Sequence, residues 1–186
     1  MPATAARRAL TALTLLAALA RPAQAQERGW DLLLSSGRLT PTGAQRSQIE
    51  AGNSSALQFW YHTSPTLALT GTLGWTRSRD LVAPGSPKLD LIDYSIGAEM
   101  QRATPMRSGR FSLRPFVGGG VGGRRADLRG VTGDATHALA TYAGAGIEFG
   151  YRRVGLRVEG RDELVGITSK ARNDVAILVG LRLLPR

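Results

Sequence analysis

Residues 139–152 read LATYAGAGIEFGYR. Leu139, Ala143, Ala145, Ile147, Phe149 and Tyr151 fall on one side of an extended chain, with Gly144, Gly146, Glu148, Gly150 and Arg152 on the other. A period of two marks a strand whose two faces meet different surroundings. The polar face decides which surroundings those are. On a soluble sandwich it meets water and carries mostly long charged side chains. Here it is mainly glycine with isolated charges, so it suits a crowded interior, and the smooth apolar face is left to point outward.

The same pattern repeats on both sides of this stretch. Leu67, Leu69, Leu73 and Trp75 oppose Ala68, Thr70, Thr72 and Gly74, and Ile92, Tyr94 and Ile96 oppose Asp93, Ser95 and Gly97. Phe111, Leu113, Pro115, Val117 and Val121 oppose Ser112, Arg114, Gly118, Gly120 and Gly122. Val154, Leu156 and Val158 oppose Gly155, Arg157 and Glu159, while Val175, Ile177, Val179, Leu181 and Leu183 oppose Asp174, Gly180 and Arg182. Two weaker segments, Gly29–Ser36 and Ala56–His62, bring the expected strands to eight. On the apolar face, aromatics collect near strand ends: Trp30, Tyr61, Phe111 and Tyr151 at one end, Trp75 and Tyr94 at the other. Small residues inside, an apolar surface outside and aromatics at two heights are what a transmembrane barrel requires. The sequence therefore predicts an all-β, eight-stranded antiparallel up-and-down transmembrane β-barrel.

Connection lengths test this independently. Outer-membrane barrels alternate short periplasmic turns with longer outer loops. The predicted connections Gly37–Ser55, Arg77–Lys88 and Arg124–Thr136 are long, Thr63–Pro65 and Arg152–Arg153 are short, and Ala103–Gly109 and Val165–Asn173 are intermediate. Both short ones fall on the side that an even strand count places in the periplasm.

The first residues are an export signal. Arg7 and Arg8 precede a run from Ala9 to Ala20 built only of Ala, Leu and Thr, and Ala23-Gln24-Ala25 supplies the small residues of a cleavage site. Residues 1–25 are expected to be a removed secretory signal and residues 26–186 the barrel. Removal takes three arginines and no acid, lowering the net charge from +10 to +7. Export makes nucleic acid an unlikely partner of so basic a chain. The absence of cysteine excludes disulfides, thiol catalysis and cysteine-ligated metals.

Residues 113–122 (LRPFVGGGVG), 142–150 (YAGAGIEFG), 154–162 (VGLRVEGRD) and 173–184 (NDVAILVGLRLL) resemble the small outer-membrane barrels of Gram-negative bacteria, of the OmpA, OmpX and OmpW type. The final strand is similar to the signal read by the barrel-insertion machinery, although the chain ends Leu184-Pro185-Arg186 where such strands usually finish on an aromatic. The resemblance implies residence in the outer membrane after export, with outer-membrane lipid and the insertion machinery as partners, a monomeric state and no cofactor.

With the apolar face outward, Glu99, Arg114, Glu148, Arg157, Glu159, Arg161 and Arg182 point into the lumen. Buried charges are tolerated when paired. Strand adjacency puts Glu148 near Arg157 or Arg161, and Arg182 near Glu159. An eight-stranded interior is only wide enough for side chains, so such a network is expected to plug it. Arg77, Arg79, Arg124, Arg125 and Arg129, with Lys88, Lys170 and Arg172, fall in predicted outer loops, where they can contact phosphates of lipopolysaccharide. Asp80, Asp127 and Asp134 among them fit a solvated loop surface equally well.

Catalytic candidates are few. His62 and Ser64 flank a turn, and lipid A deacylases on barrels of this size use histidine, serine and an acid; the plainer account is a Ser-Pro bend. His137 has no serine or carboxylate motif beside it, and two distant histidines make no metal set. The five glycines of residues 118–123 lack the Lys-Ser or Lys-Thr of a phosphate loop and instead make room for large neighbours. No catalytic or metal-binding residue is assigned. Two alternatives stay open: a lipid-modifying barrel enzyme with His62 as base, and a soluble lipocalin-like barrel with leucines and valines turned inward around an apolar ligand.

Overall fold

The computed structural model describes residues 29–129, 135–151, 154–166 and 171–183. The expected signal peptide, the predicted turn at residues 152–153, Asp134, Lys170 and residues 184–186 lie outside the described residues. Eight long strands form one antiparallel sheet: β1 (Trp30–Pro41), β2 (Gly52–His62), β3 (Leu67–Arg79), β4 (Lys88–Gln101), β6 (Phe111–Leu128), β7 (Thr136–Tyr151), β8 (Val154–Val165) and β9 (Arg172–Leu183). Each pairs with its neighbour in chain order, β1 pairs with β9, and β4 pairs with β6, so the sheet closes on itself and leaves no long edge. The chain is an eight-stranded up-and-down barrel.

Several connections differ from the sequence-based expectation; β3 runs on to Arg79 and β6 to Leu128, so Arg77, Arg79, Arg124 and Arg125 lie on strands and not in outer loops. The segment Ala103–Gly109 is not a plain turn: β5 (Met106–Ser108) folds back on β6, extending it below the point where β4 stops. Gly109 makes that tight turn, with a φ of 60° that suits glycine. The first loop is shorter than Gly37–Ser55, because β1 runs on to Pro41 and β2 begins at Gly52, with a 3-10 turn at Gly43–Ser47 between them. Serine, glycine and arginine dilute the alternation in that region, but inter-strand hydrogen bonding continues regardless of side-chain type.

The two faces separate as the alternation requires. Leu32, Leu34, Leu69, Leu73, Ile96, Val117, Val121, Ile177 and Leu181 are exposed on the outer wall. An apolar surface this extensive is foreign to a soluble monomer. It also runs against the lipocalin-like alternative, which needs these side chains inside.

The lumen is less polar than its glycines suggest. Leu33, Trp60 and Ala68 pack together near the short-turn end, and Leu39, Ile49, Leu89 and Leu91 close the long-loop end. The buried charges share the lumen with these two clusters.

Candidate functional site

Three charged groups occupy the lumen at successive heights. At the short-turn end, Arg182 of β9 donates to Glu148 Oε2 of β7 at 2.8 Å and also to Asp31 of β1. His62 Nε2 lies 2.7 Å from the same Asp31 carboxylate, and Arg114 Nη1 donates to Gln101 Oε1 at 3.4 Å.

In the middle, Arg157 grips Glu99 with both terminal nitrogens, at 3.1 and 2.5 Å, and donates its Nε to Glu159 at 3.2 Å. Arg161 Nε donates to the other oxygen of Glu159 at 2.5 Å, and Gln58 Nε2 reaches Glu159 at 3.4 Å. The Arg157 guanidinium lies 3.3 Å from the Phe116 ring centroid and 5.0 Å from that of Trp60, whose indole N–H donates to Glu99 at 3.1 Å. A cation held between rings and carboxylates is satisfied on its faces and at its edges.

Toward the long loops, Arg124 of β6 is only 4% exposed. It is held by Asp93 at 2.5 Å, Glu163 at 2.6 Å and Asp174.

Partner choice departs from strand adjacency. Glu148 and Arg157 are register partners, yet Glu148 turns to Arg182 and Arg157 to Glu99. Arg182 likewise meets Asp31 and Glu148, with Glu159 bound by Arg157 and Arg161. The barrel is narrow enough for long arginine stems to cross it, so reach across the lumen overrides neighbourhood along the wall.

Arg124 corrects a second expectation. It is not an outer-loop anion contact, because β6 stays in register as far as Leu128 and an even-numbered residue on that strand points inward. The other four proposed contacts are exposed. Arg125 pairs with Asp127 at 3.0 Å, Arg129 with Asp90 at 2.7 Å and Arg79 with Glu50 at 3.7 Å, while Arg77 lies 4.2 Å over the Trp75 ring.

Aromatic residues divide between wall and lumen. Trp30 stacks on Phe59 at a centroid distance of 4.4 Å and meets Tyr61 tilted at 4.6 Å, and Phe111 meets Tyr151 at 5.1 Å, all at the short-turn end. Trp75 and Tyr94 are exposed toward the other end. The inward Trp60, Phe116 and Tyr142 escaped the sequence reading. Tyr142 places its hydroxyl 3.2 Å from Thr70 Oγ1. Glycine makes space for the Phe116 and Tyr142 rings: a Cβ at Gly146 would lie 2.3 Å from Phe116, and one at Gly120 would lie 2.6 Å from Tyr142. Beside Tyr142, Asp93, Arg161 and Glu163 a lumenal cavity of about 40 Å³ remains, enough for water and little else.

His62 and Ser64 serve different structures. Ser64 Oγ accepts from the backbone N–H of Leu67 at 3.0 Å and of Thr66 at 3.3 Å, which fixes the turn. His62 faces Asp31, Gln101 and Arg182 inside the barrel. A carboxylate and a guanidinium meet at one imidazole, and no serine or threonine hydroxyl joins this cluster among the described residues.

No protein-family model matches the chain, and no curated protein matches it by sequence. Solved structures do. The crystal structure of Neisserial surface protein A (NspA) is 18% identical, covers 83% of this chain and 96% of its own, and superposes with a TM-score of 0.58. The N-terminal β-barrel domain of Pseudomonas aeruginosa OprF is 15% identical, covers 85% of this chain and 100% of its own, with a TM-score of 0.53. At these identities the likeness is one of fold: the chain has the architecture of small eight-stranded outer-membrane barrels.

Proposed function

We propose that the protein is an exported outer-membrane barrel with a closed lumen and a structural or surface-interaction role, not an enzyme. One observation carries this reading: a continuous apolar exterior surrounds an interior filled by paired charge. An apolar wall is stable in lipid and unstable in water. A lumen blocked by Trp60, Phe116 and the arginine–carboxylate groups leaves no wide aqueous path. The long loops then face outward, the short turns face the periplasm, and assembly proceeds through the barrel-insertion machinery to a monomer. Exposed Arg77, Arg79, Arg125 and Arg129 at the long-loop end lie within reach of anionic lipopolysaccharide.

The test is fractionation with heat-modifiable gel migration, followed by planar-bilayer recording of the refolded protein. Recovery with the outer membrane, a fast-migrating unheated band and no steady conductance are expected. A soluble periplasmic monomer overturns the membrane assignment, and a stable ohmic channel overturns the closed lumen.

A further inference from the structure

Two surface features lie one above the other on the outer wall, and neither belongs to the lumenal network. The upper is an open cleft of about 390 Å³ at the long-loop end, lined by Arg38, Arg77, Arg79, Lys88 and Arg129 together with Glu50 and Asp90. The two acids are matched to Arg79 and Arg129. Arg38, Arg77 and Lys88 have no carboxylate partner among the described residues. Their side chains share one patch because Arg38 pairs in register with Asn53, Asn53 with Arg77, and Lys88 with Arg79. The surplus is thus cationic and unpaired, which suits an anion carrying more than one charge.

The lower feature is an apolar groove of about 800 Å³ that crosses β2, β3, β4, β6 and β7, bordered by Phe59, Leu73, Ile96, Val121 and Leu139, with Gly71 at its floor. A Cβ at Gly71 would meet no atom within 4 Å, so the depression is open on the lipid side. The groove and the cleft share strands β2, β3 and β4. On β3, Arg77 and Gly71 are six residues apart, about 20 Å along the strand. At a strand tilt of about 40° this is about 15 Å along the membrane normal, half of a hydrocarbon core about 30 Å thick. Gly71 therefore lies about one leaflet's depth below the cations, with Trp75 between them beneath the Arg77 guanidinium.

We infer that this wall binds one phosphorylated lipid of the outer leaflet, its phosphate in the Arg38–Arg77–Lys88 cleft and an acyl chain along the Gly71 groove. Charge surplus selects the headgroup and the Gly71 depression, about 20 Å further along β3, takes the chain, and an amphiphile satisfies both at once. The inference rests on the outer-membrane reading above, and it goes beyond it by replacing a diffuse basic loop surface with one lateral site.

The refolded mature barrel in detergent is titrated with phosphatidic acid and followed by native mass spectrometry, with phosphatidylcholine of the same chains and inorganic phosphate as comparators. One phosphatidic acid per barrel is expected, with phosphatidylcholine at least tenfold weaker. Arg38→Gln/Arg77→Gln and, separately, Gly71→Leu are each expected to weaken phosphatidic acid at least tenfold. Arg46→Gln/Arg172→Gln, which removes equal charge from the same end, is expected to change it less than twofold. Equal retention of phosphatidylcholine, competition by inorganic phosphate at matched concentration, or equal loss in the control variant overturns the site. Heat-modifiable migration of every variant is read in parallel. A folded barrel that retains no phosphatidic acid defeats only this inference, whereas a chain with no heat-modifiable form defeats the membrane reading beneath it.

Discussion

Glu159→Ala removes the acid that ties two arginines together, and the structure indicates which of them suffers. Arg157 keeps Glu99 through both terminal nitrogens. Arg161 has Glu159 as its one carboxylate partner among the described ion pairs, and retains Tyr142, whose ring centroid is 4.7 Å from its guanidinium, with Glu163 acting from beyond ion-pair distance. The variant therefore leaves one uncompensated buried cation, a loss of about 3–5 kcal/mol. Glu159→Gln keeps an acceptor and most of the volume, so its loss falls nearer the ~1.5–3 kcal/mol of a charged hydrogen bond. Glu159→Leu/Arg161→Leu removes both charges and should recover most of the stability, because a buried pair replaced by apolar groups is often neutral. Urea titration of the barrel refolded in lipid vesicles, followed by tryptophan fluorescence and gel migration, reads all three variants. If Glu159→Ala and the double variant both sit within about 0.5 kcal/mol of the parent, the range of an unremarkable surface change, the lumen is hydrated and the pairing argument fails.

Other outcomes follow from the same structure. Arg124→Met strands Asp93, Glu163 and Asp174 together and should lower the urea midpoint by the equivalent of about 3–5 kcal/mol. Gly146→Val drives a side chain into the Phe116 ring and should cost about 1–3 kcal/mol or more, whereas Gly71→Val meets open space and should cost almost nothing; paired denaturation curves distinguish them. His62→Ala leaves Asp31 with Arg182, so a loss of about 0.5–1.5 kcal/mol is expected with no change in lipid A acylation by mass spectrometry; altered acylation supports a catalytic His62. Ser64→Ala should cost a similar amount through the turn and likewise leave lipid unchanged.

Strand count, closure and the outward face were legible because a period of two persists wherever glycine and charge alternate with Leu, Ile or Val. The reading weakened where neighbours were alike. Phe59, Trp60 and Tyr61 are consecutive aromatics, so composition alone does not tell which one turns inward; the register Leu33–Gln58 and Asp31–Trp60 settles it. Phe116 between Pro115 and Val117, and Leu91 beside Ile92, pose the same problem. The acids Asp93, Glu163 and Asp174 did carry a signal, since each lies an even number of residues from a glycine or charge already placed inside, whereas the first strand offered Asp31 no such reference. Ion-pair partners were beyond reach, because they depend on distances across the lumen that no count along the chain supplies.

The Arg182 group has a consequence for assembly. It bridges β9 to Asp31 of β1, across the seam where the last strand meets the first. Apolar alternation at that seam rejects a slip of one residue, which turns every side chain to the wrong medium, but it is blind to a slip of two. A two-residue slip there displaces Arg182 by about 7 Å relative to β1 and strands it from Asp31, while Glu148 stays with it on the β7–β9 side. The ionic bridge thus detects the error that greasy patterning overlooks, so the chain's two ends proofread their own closure.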